Sequence, residues 1–224
     1  MSQVYISPSI GPSRGARNFD PDLPPDILKS RRDPLNKLKY LRIDLHIMRA
    51  SLRRDTAETG VEVSLDLKGS GKSDVDTGVP LLDEILKIVA QAAAFDLEVR
   101  ADGDLATGDH HTVEDVAIVF GQVLAELLDA GMGSSQVPSG EALAFAAVRF
   151  GAPGYREEVE LSGTVLEGME LQNVGHFMRT LAYSGRFTLH LRAWGGDDWQ
   201  KVESLSLSLG RALRRAAADG ESRG

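Results

Sequence analysis

No cysteine occurs in the sequence, which excludes disulfides and thiolate metal centres and leaves His, Asp and Glu as the strong metal ligands available. Any metal is therefore expected on nitrogen and oxygen atoms. No apolar run approaches the roughly 20 residues that span a bilayer, so no membrane partner is expected. The opening MSQVYISPSIGPSRGARNF lacks the apolar core of a secretory signal, and the cytoplasm is the expected compartment. Positive charge is outnumbered: the formal net charge is −8, which argues against a nucleic-acid surface, since phosphate backbones call for a basic face. What is present is ordinary for a globular protein, with 42% hydrophobic and 26% charged residues in a chain of 224, long enough to bury a sizeable core.

Organisation along the chain is uneven. Residues 1–40 form a Pro-rich extended arm, with Pro8, Pro12, Pro21, Pro24, Pro25 and Pro34 among Ser, Asp and Arg, a composition that buries little apolar area. Leu41, Ile43, Leu45 and Ile47 then alternate with mostly polar residues and read as a half-buried strand. His46 on that strand reads as structural, and residues 219–224 as a tail.

Residues 41–218 repeat themselves. FDLEVRADGD (95–104) matches FTLHLRAWGG (187–196) 92 residues later, and HHTVEDVAIVFGQVLAEL (110–127) matches WQKVESLSLSLGRALRRA (199–216) 89 residues later. Phe95/Phe187, Val113/Val202, Glu114/Glu203, Gly121/Gly210 and Leu124/Leu213 coincide. Upstream, VEVSLDLKG (61–69) pairs with REEVELSG (156–163) as an alternating strand ending at Gly. Helical spacing links Leu82, Ile85, Leu86 and Val89, and again Val113, Val116, Ala117, Phe120, Leu124 and Leu127. The expected fold class is α+β: two pseudo-symmetric ββαβα half-domains, spanning 52–130 and 141–218, with helices on one face of mixed sheets.

The chemistry concentrates where a Gly-containing turn (Gly103, Gly108) enters a helix. His110 and Glu114, four residues apart, share a helical face, while His111 points about 100° away. Two imidazoles beside a carboxylate suit Mn, Fe or Zn. The bland alternative is a surface His pair whose neighbours Asp109 and Glu114 complement the helix dipole. GSGK (69–72) lacks the frame of a phosphate loop, and Met132, Met169 and Met178 read as core or loop residues.

RRDTAET (53–59), TGVPLLDEIL (77–86), FDLEVRADGDL (95–105), DHHTVEDVAIVFGQ (109–122), GEAL (140–143), FTLHL (187–191) and VES…GRALRRA (202–216) stand in the order and spacing of imidazoleglycerol-phosphate dehydratase. The chain resembles that family over about 49–218. The resemblance implies a metal-dependent lyase of two fused half-domains, with two Mn ions at subunit interfaces of a large symmetric homo-oligomer and a small-molecule substrate. It further implies metal ligands at His110, His111, Glu114, His190 and Glu203, a substrate-side acid/base at Glu58, and an acidic residue of the site at Glu141.

Departures from the family pattern are selective. A ligand His is replaced by Glu84, which can still bind Mn or Fe(II) through oxygen. The second His-His pair is Trp199–Gln200, a further expected His is Ala92, and the basic residues expected to hold the substrate phosphate align at Gly131, Pro153 and Leu207. By the family pattern one of His110/His111 joins His190 and Glu203, and the other joins Glu84 and Glu114. His176 aligns with Glu84 in the repeat, as though imidazole and acid had exchanged places between copies. These features point to a hydro-lyase-like enzyme acting on a different small azole or nitrogen-containing substrate. The alternatives are a non-haem Fe(II)-type oxidative enzyme built on a His/His/Glu triad, or a catalytically inactive assembly subunit.

Overall fold

A computed structural model describes residues 37–44, 48–103 and 108–222; most of the Pro-rich arm, His46 and the last two residues lie outside the described residues. The first half runs β1 (Lys37–Asp44), β2 (Arg49–Asp55), β3 (Thr59–Asp66), β4 (Ser73–Asp76), α1 (Pro80–Ala93), β5 (Asp96–Gly103) and α2 (His110–Leu127). The second runs β6 (Met132–Ser139), β7 (Ala142–Phe150), β8 (Gly154–Val159), a hairpin of β9 (Val165–Leu166) and β10 (Met169–Glu170), α3 (Gln172–Ser184), β11 (Phe187–Trp194) and α4 (Asp198–Glu221).

The duplication is visible in strand order. The first sheet is ordered β1-β2-β3-β5-β4 and the second β6-β7-β11-β8, so each half has two antiparallel hairpin strands, a third antiparallel partner, and a short edge strand parallel to it. β1 is an addition, antiparallel to β2. This corrects one element of the sequence alignment. Residues 156–159 lie in β8, the parallel edge strand equivalent to β4, and the true counterpart of β3 is β7. β6 begins at Met132, ahead of residue 141, and pairs with β7 as β2 pairs with β3.

Period-2 burial gives each sheet one covered face: Val61, Val63 and Leu65 in β3, and Phe187, Leu189 and Leu191 in β11, are buried. The helices occupy those faces and also pack across the pseudo-twofold, α2 on α3 and α1 on α4. One continuous core spans both halves. Phe95, Phe120, Phe177 and Phe187 are among its largest fully buried side chains, each worth about 1.5–3 kcal/mol of burial. The repeated glycines mark the helix crossings. A Cβ on Gly121 would stand 2.7 Å from Gly185 N and 2.8 Å from Leu181 O, and one on Gly210 would stand 2.5 Å from Val89 O. Only a residue without a side chain permits that approach. No described helix is long and apolar enough to cross a membrane.

Candidate metal centre

The site grows from the first turn of α2. His110 and Glu114 lie on one face, as their spacing requires, and meet His176 of α3: one ligand atom from each falls within 4.8 Å of the others. The His110 and His176 rings stack with centroids 4.5 Å apart, and His176 Nε2 lies 3.6 Å from Glu114 Oε1. That nitrogen is enclosed and has no hydrogen-bond partner. Two imidazoles and a carboxylate converging around an unsatisfied nitrogen form a donor set that fits a borderline divalent cation.

Asp109 does more than complement a helix dipole. Its carboxylate, an acceptor only, takes the Asn173 amide N–H at 2.8 Å and the Glu170 backbone N–H at 3.1 Å. The Asn173 carbonyl oxygen therefore faces His110 Nδ1 at 3.2 Å, which places the proton on Nδ1 and leaves the lone pair on Nε2. Asn173 and Asp109 thus set the tautomer of His110. Asn173, one turn ahead of His176 on the same helix face, went unnoticed in the sequence, although its i,i+3 spacing was a usable signal.

His111, turned away from this cluster, faces the β2–β3 turn, where Glu58 Oε2 stands 3.1 Å from its Nδ1. A buried network holds that turn. Arg54 pairs with Asp115 on α2, Asp115 accepts from Thr59 Oγ1, and Thr56 Oγ1 accepts the Glu58 and Thr59 backbone N–H groups. A concavity of about 250 Å³ lined by Arg54, Thr56, Ala57, Glu58, His111, Glu114 and Asp115 opens there. A larger one of about 760 Å³ lies along the other side of the same turn, toward Arg53 and Arg100, away from the imidazoles. The smaller is the more informative because it joins Glu58 to His111 and Glu114.

Within one chain the other expected site residues stand apart from this cluster. Glu84 is exposed on α1 and pairs with Lys87 at 3.0 Å. His190 lies on the open face of the second sheet, in register with Ala147 and Arg156. Glu203, on α4, is hydrogen-bonded by Ser139 Oγ. Glu141 is exposed at the β6–β7 turn, its backbone N–H donating to Gln200 Oε1 at 3.3 Å. Gln200 also fills the space beside Gly140 and Gly196, and Trp199 packs against the core. Trp199 and Gln200 thus serve packing and turn closure.

A duplicated α+β fold whose helix start presents His and Glu beside an enclosed imidazole nitrogen defines a protein of two half-domains with a candidate metal centre. The imidazoleglycerol-phosphate dehydratase profile matches residues 77–213. The imidazoleglycerol-phosphate dehydratase of Methanothermobacter thermautotrophicus is 42% identical over 176 residues, covering 75% of this chain and 91% of that one. That of Desulforudis audaxviator is 40% identical, covering 80% and 94%. The crystal structure of the Staphylococcus aureus enzyme superposes with a TM-score of 0.66 at 26% identity, covering 74% of this chain and 97% of that one. The chain belongs to the imidazoleglycerol-phosphate dehydratase family.

Proposed function

We propose that this chain is a metal-dependent hydro-lyase that removes water from a small azole or other nitrogen-containing substrate distinct from imidazole glycerol phosphate. The observation that carries the activity is the Glu58–His111 contact beside the His110/Glu114/His176 cluster. A divalent ion, Mn or Fe, held by His110 and Glu114 would supply electrophilic polarisation of the azole nitrogens. The chain's own residues handle the proton. Glu58 accepts the Nδ1–H of His111 and, as the base, takes a proton from a substrate carbon; the neighbouring carbon releases hydroxide, and the pair leaves as water. The Arg54–Asp115–Thr59 network keeps Glu58 over α2 while this occurs.

The different substrate is supported by the positions that would grip a phosphate. Gly131 packs so that a Cβ would meet Ala216 O at 2.1 Å, Pro153 is exposed in a turn, and Leu207 is half-buried on α4; none carries charge. Three lost charge-assisted contacts, at about 1.5–3 kcal/mol each, weaken binding by roughly three to six orders of magnitude. The competing reading, imidazole glycerol phosphate itself, is favoured by relatives of that name at about 40% identity. Steady-state kinetics on imidazole glycerol phosphate and on its unphosphorylated analogue separate the two. The proposal expects phosphate to give no advantage in kcat/KM; a phosphate advantage above a thousandfold overturns the choice of substrate.

A further inference from the structure

We infer that each chain holds one metal ion, at the start of α2, and that the start of α4, its counterpart in the duplication, holds none and serves instead as an anchor for the chain around it. The family pattern implies two ions, so this chain departs from it. The inference rests on the metal-dependent reading above and deepens it.

Donor chemistry separates the two helix starts. Residues 110, 111 and 114 are His, His and Glu, and their counterparts 89 residues later are Trp199, Gln200 and Glu203. Trp offers only an N–H donor and Gln a weak neutral oxygen. One strong ligand is left on α4 where α2 presents three. Nor does His190 join Glu203 within the chain. Its neighbours Leu189 and Leu191 are buried on the face that the helices cover, so His190 stands on the other face of the sheet from α4.

The polar groups around the start of α4 are already committed to this chain. Asp197 caps the helix by accepting the Gln200 backbone N–H at 2.8 Å. Asp198 accepts the Ser162 and Gly163 backbone N–H groups at 2.8 and 2.7 Å. Gln200 Oε1 accepts the Glu141 backbone N–H, and its amide is wedged so that a Cβ on Gly140 or Gly196 would stand 2.5 or 2.4 Å from it. Glu203 accepts from Ser139 Oγ. Three separate stretches of chain are thus fastened to one helix start, and a cation could recruit these oxygens only by opening the turns they close. A positive charge is also in place. Lys201 Nζ donates to Glu160 O at 2.7 Å and lies 3.8 Å from Asp198 Oδ1, the two side chains being 12% and 16% exposed. So little solvent screens that ammonium that a divalent ion beside it is disfavoured. The equivalent position on α2 is Thr112, buried and uncharged.

The consequence is stoichiometric. Whatever His190 and Glu203 donate goes to the α2 site of another copy, and an assembly carries one ion for each chain.

Elemental analysis of the full-length protein, loaded with Mn(II) and desalted, against chain concentration from amino-acid analysis tests this, with Mn(II) electron paramagnetic resonance as the second readout. The expected result is about one ion per chain with the spectrum of isolated ions. Two ions per chain, or the spectrum of a spin-coupled pair, overturns the inference. Gln200→Ala should lower the urea midpoint, because two turns lose their clasp, while metal affinity stays within about twofold of wild type. Loss of more than half the metal in that variant would make Gln200 a ligand and overturn the inference; should it fail to fold, the wild-type count decides. No bound ion at all overturns both this inference and the metal-dependent reading. One ion per chain in a protein that dehydrates no azole refutes the proposed function alone, and an active enzyme with two ions per chain refutes this inference alone.

Discussion

Replacing Arg54 by Met should separate the turn that carries Glu58 from the helix that carries the imidazoles. Arg54 and Asp115 are both buried, with side chains 8% and 13% exposed, so solvent does little to screen the pair. Removing one member of a buried ion pair costs about 3–5 kcal/mol, because the other charge is left in a poor dielectric. Asp115 keeps its hydrogen bond from Thr59 Oγ1 and a longer one, 3.5 Å, from Thr56 Oγ1, which places the expected loss at the low end, about 3 kcal/mol. With an m value of about 2 kcal/mol/M in urea, the unfolding midpoint should fall by about 1.5 M. The double variant Arg54→Met/Asp115→Leu removes both charges and should recover at least about 1.5 kcal/mol relative to the sum of the single variants. A midpoint shift below about 0.5 M in Arg54→Met, or a double variant that merely sums the singles, would refute the view that this pair fastens the Glu58 turn to α2.

The helix crossings give a second test: Gly121→Ala and Gly210→Ala should each destabilise by about 1–3 kcal/mol in urea titration despite their better helix propensity, because the added methyl meets backbone of the facing helix. Neutral or stabilised variants would contradict the close packing. Asp198 accepts the Ser162 and Gly163 backbone N–H groups, and the first of these bonds above all holds its carboxyl below the ordinary carboxylate value. A depressed folded-state value means the contribution is fully present above the unfolded pKa near 4 and is lost as pH falls through the folded one. Acid titration of stability should therefore be shallower below about pH 4 in Asp198→Asn than in wild type, and identical slopes would count against these two hydrogen bonds as a source of stability. Light scattering should report a homo-oligomer larger than a dimer, as expected if His190 and Glu203 meet ligands of another subunit; a stable monomer would remove that role from both.

Much of the fold was legible because duplication left periodic marks. Phe95/Phe187 and Gly121/Gly210 recur at fixed offsets, and the structure explains both, the first as core residues just ahead of β5 and at the start of β11, the second as helix crossings. The strand alignment failed upstream because β3 and β8 both alternate, and alternation alone cannot tell a central antiparallel strand from a parallel edge strand. β6 carried little apolar signal: its buried positions are Gly133, Ser135 and Val137, and Gly133 is there because α4 passes close above it, with Ala212 O 2.1 Å from where a Cβ would stand. At the site, the DHHTVED run announced itself on one helix turn. His176 showed only as the repeat counterpart of Glu84, and Asn173 only through its i,i+3 spacing to it; that both face α2 follows from the packing of α3 against that helix, which no sequence period records.

Glu58, as proposed, moves the proton in a metal-dependent elimination of water. The most direct test of this is the rate of ketone formation from an unphosphorylated imidazole polyol by Mn-loaded protein, wild type against Glu58→Gln, with metal content matched. Measurable turnover is expected in the wild type, and a loss of about 10²–10⁴-fold in the variant. Equal rates in the two proteins, or no ketone from either this polyol or imidazole glycerol phosphate, would contradict it.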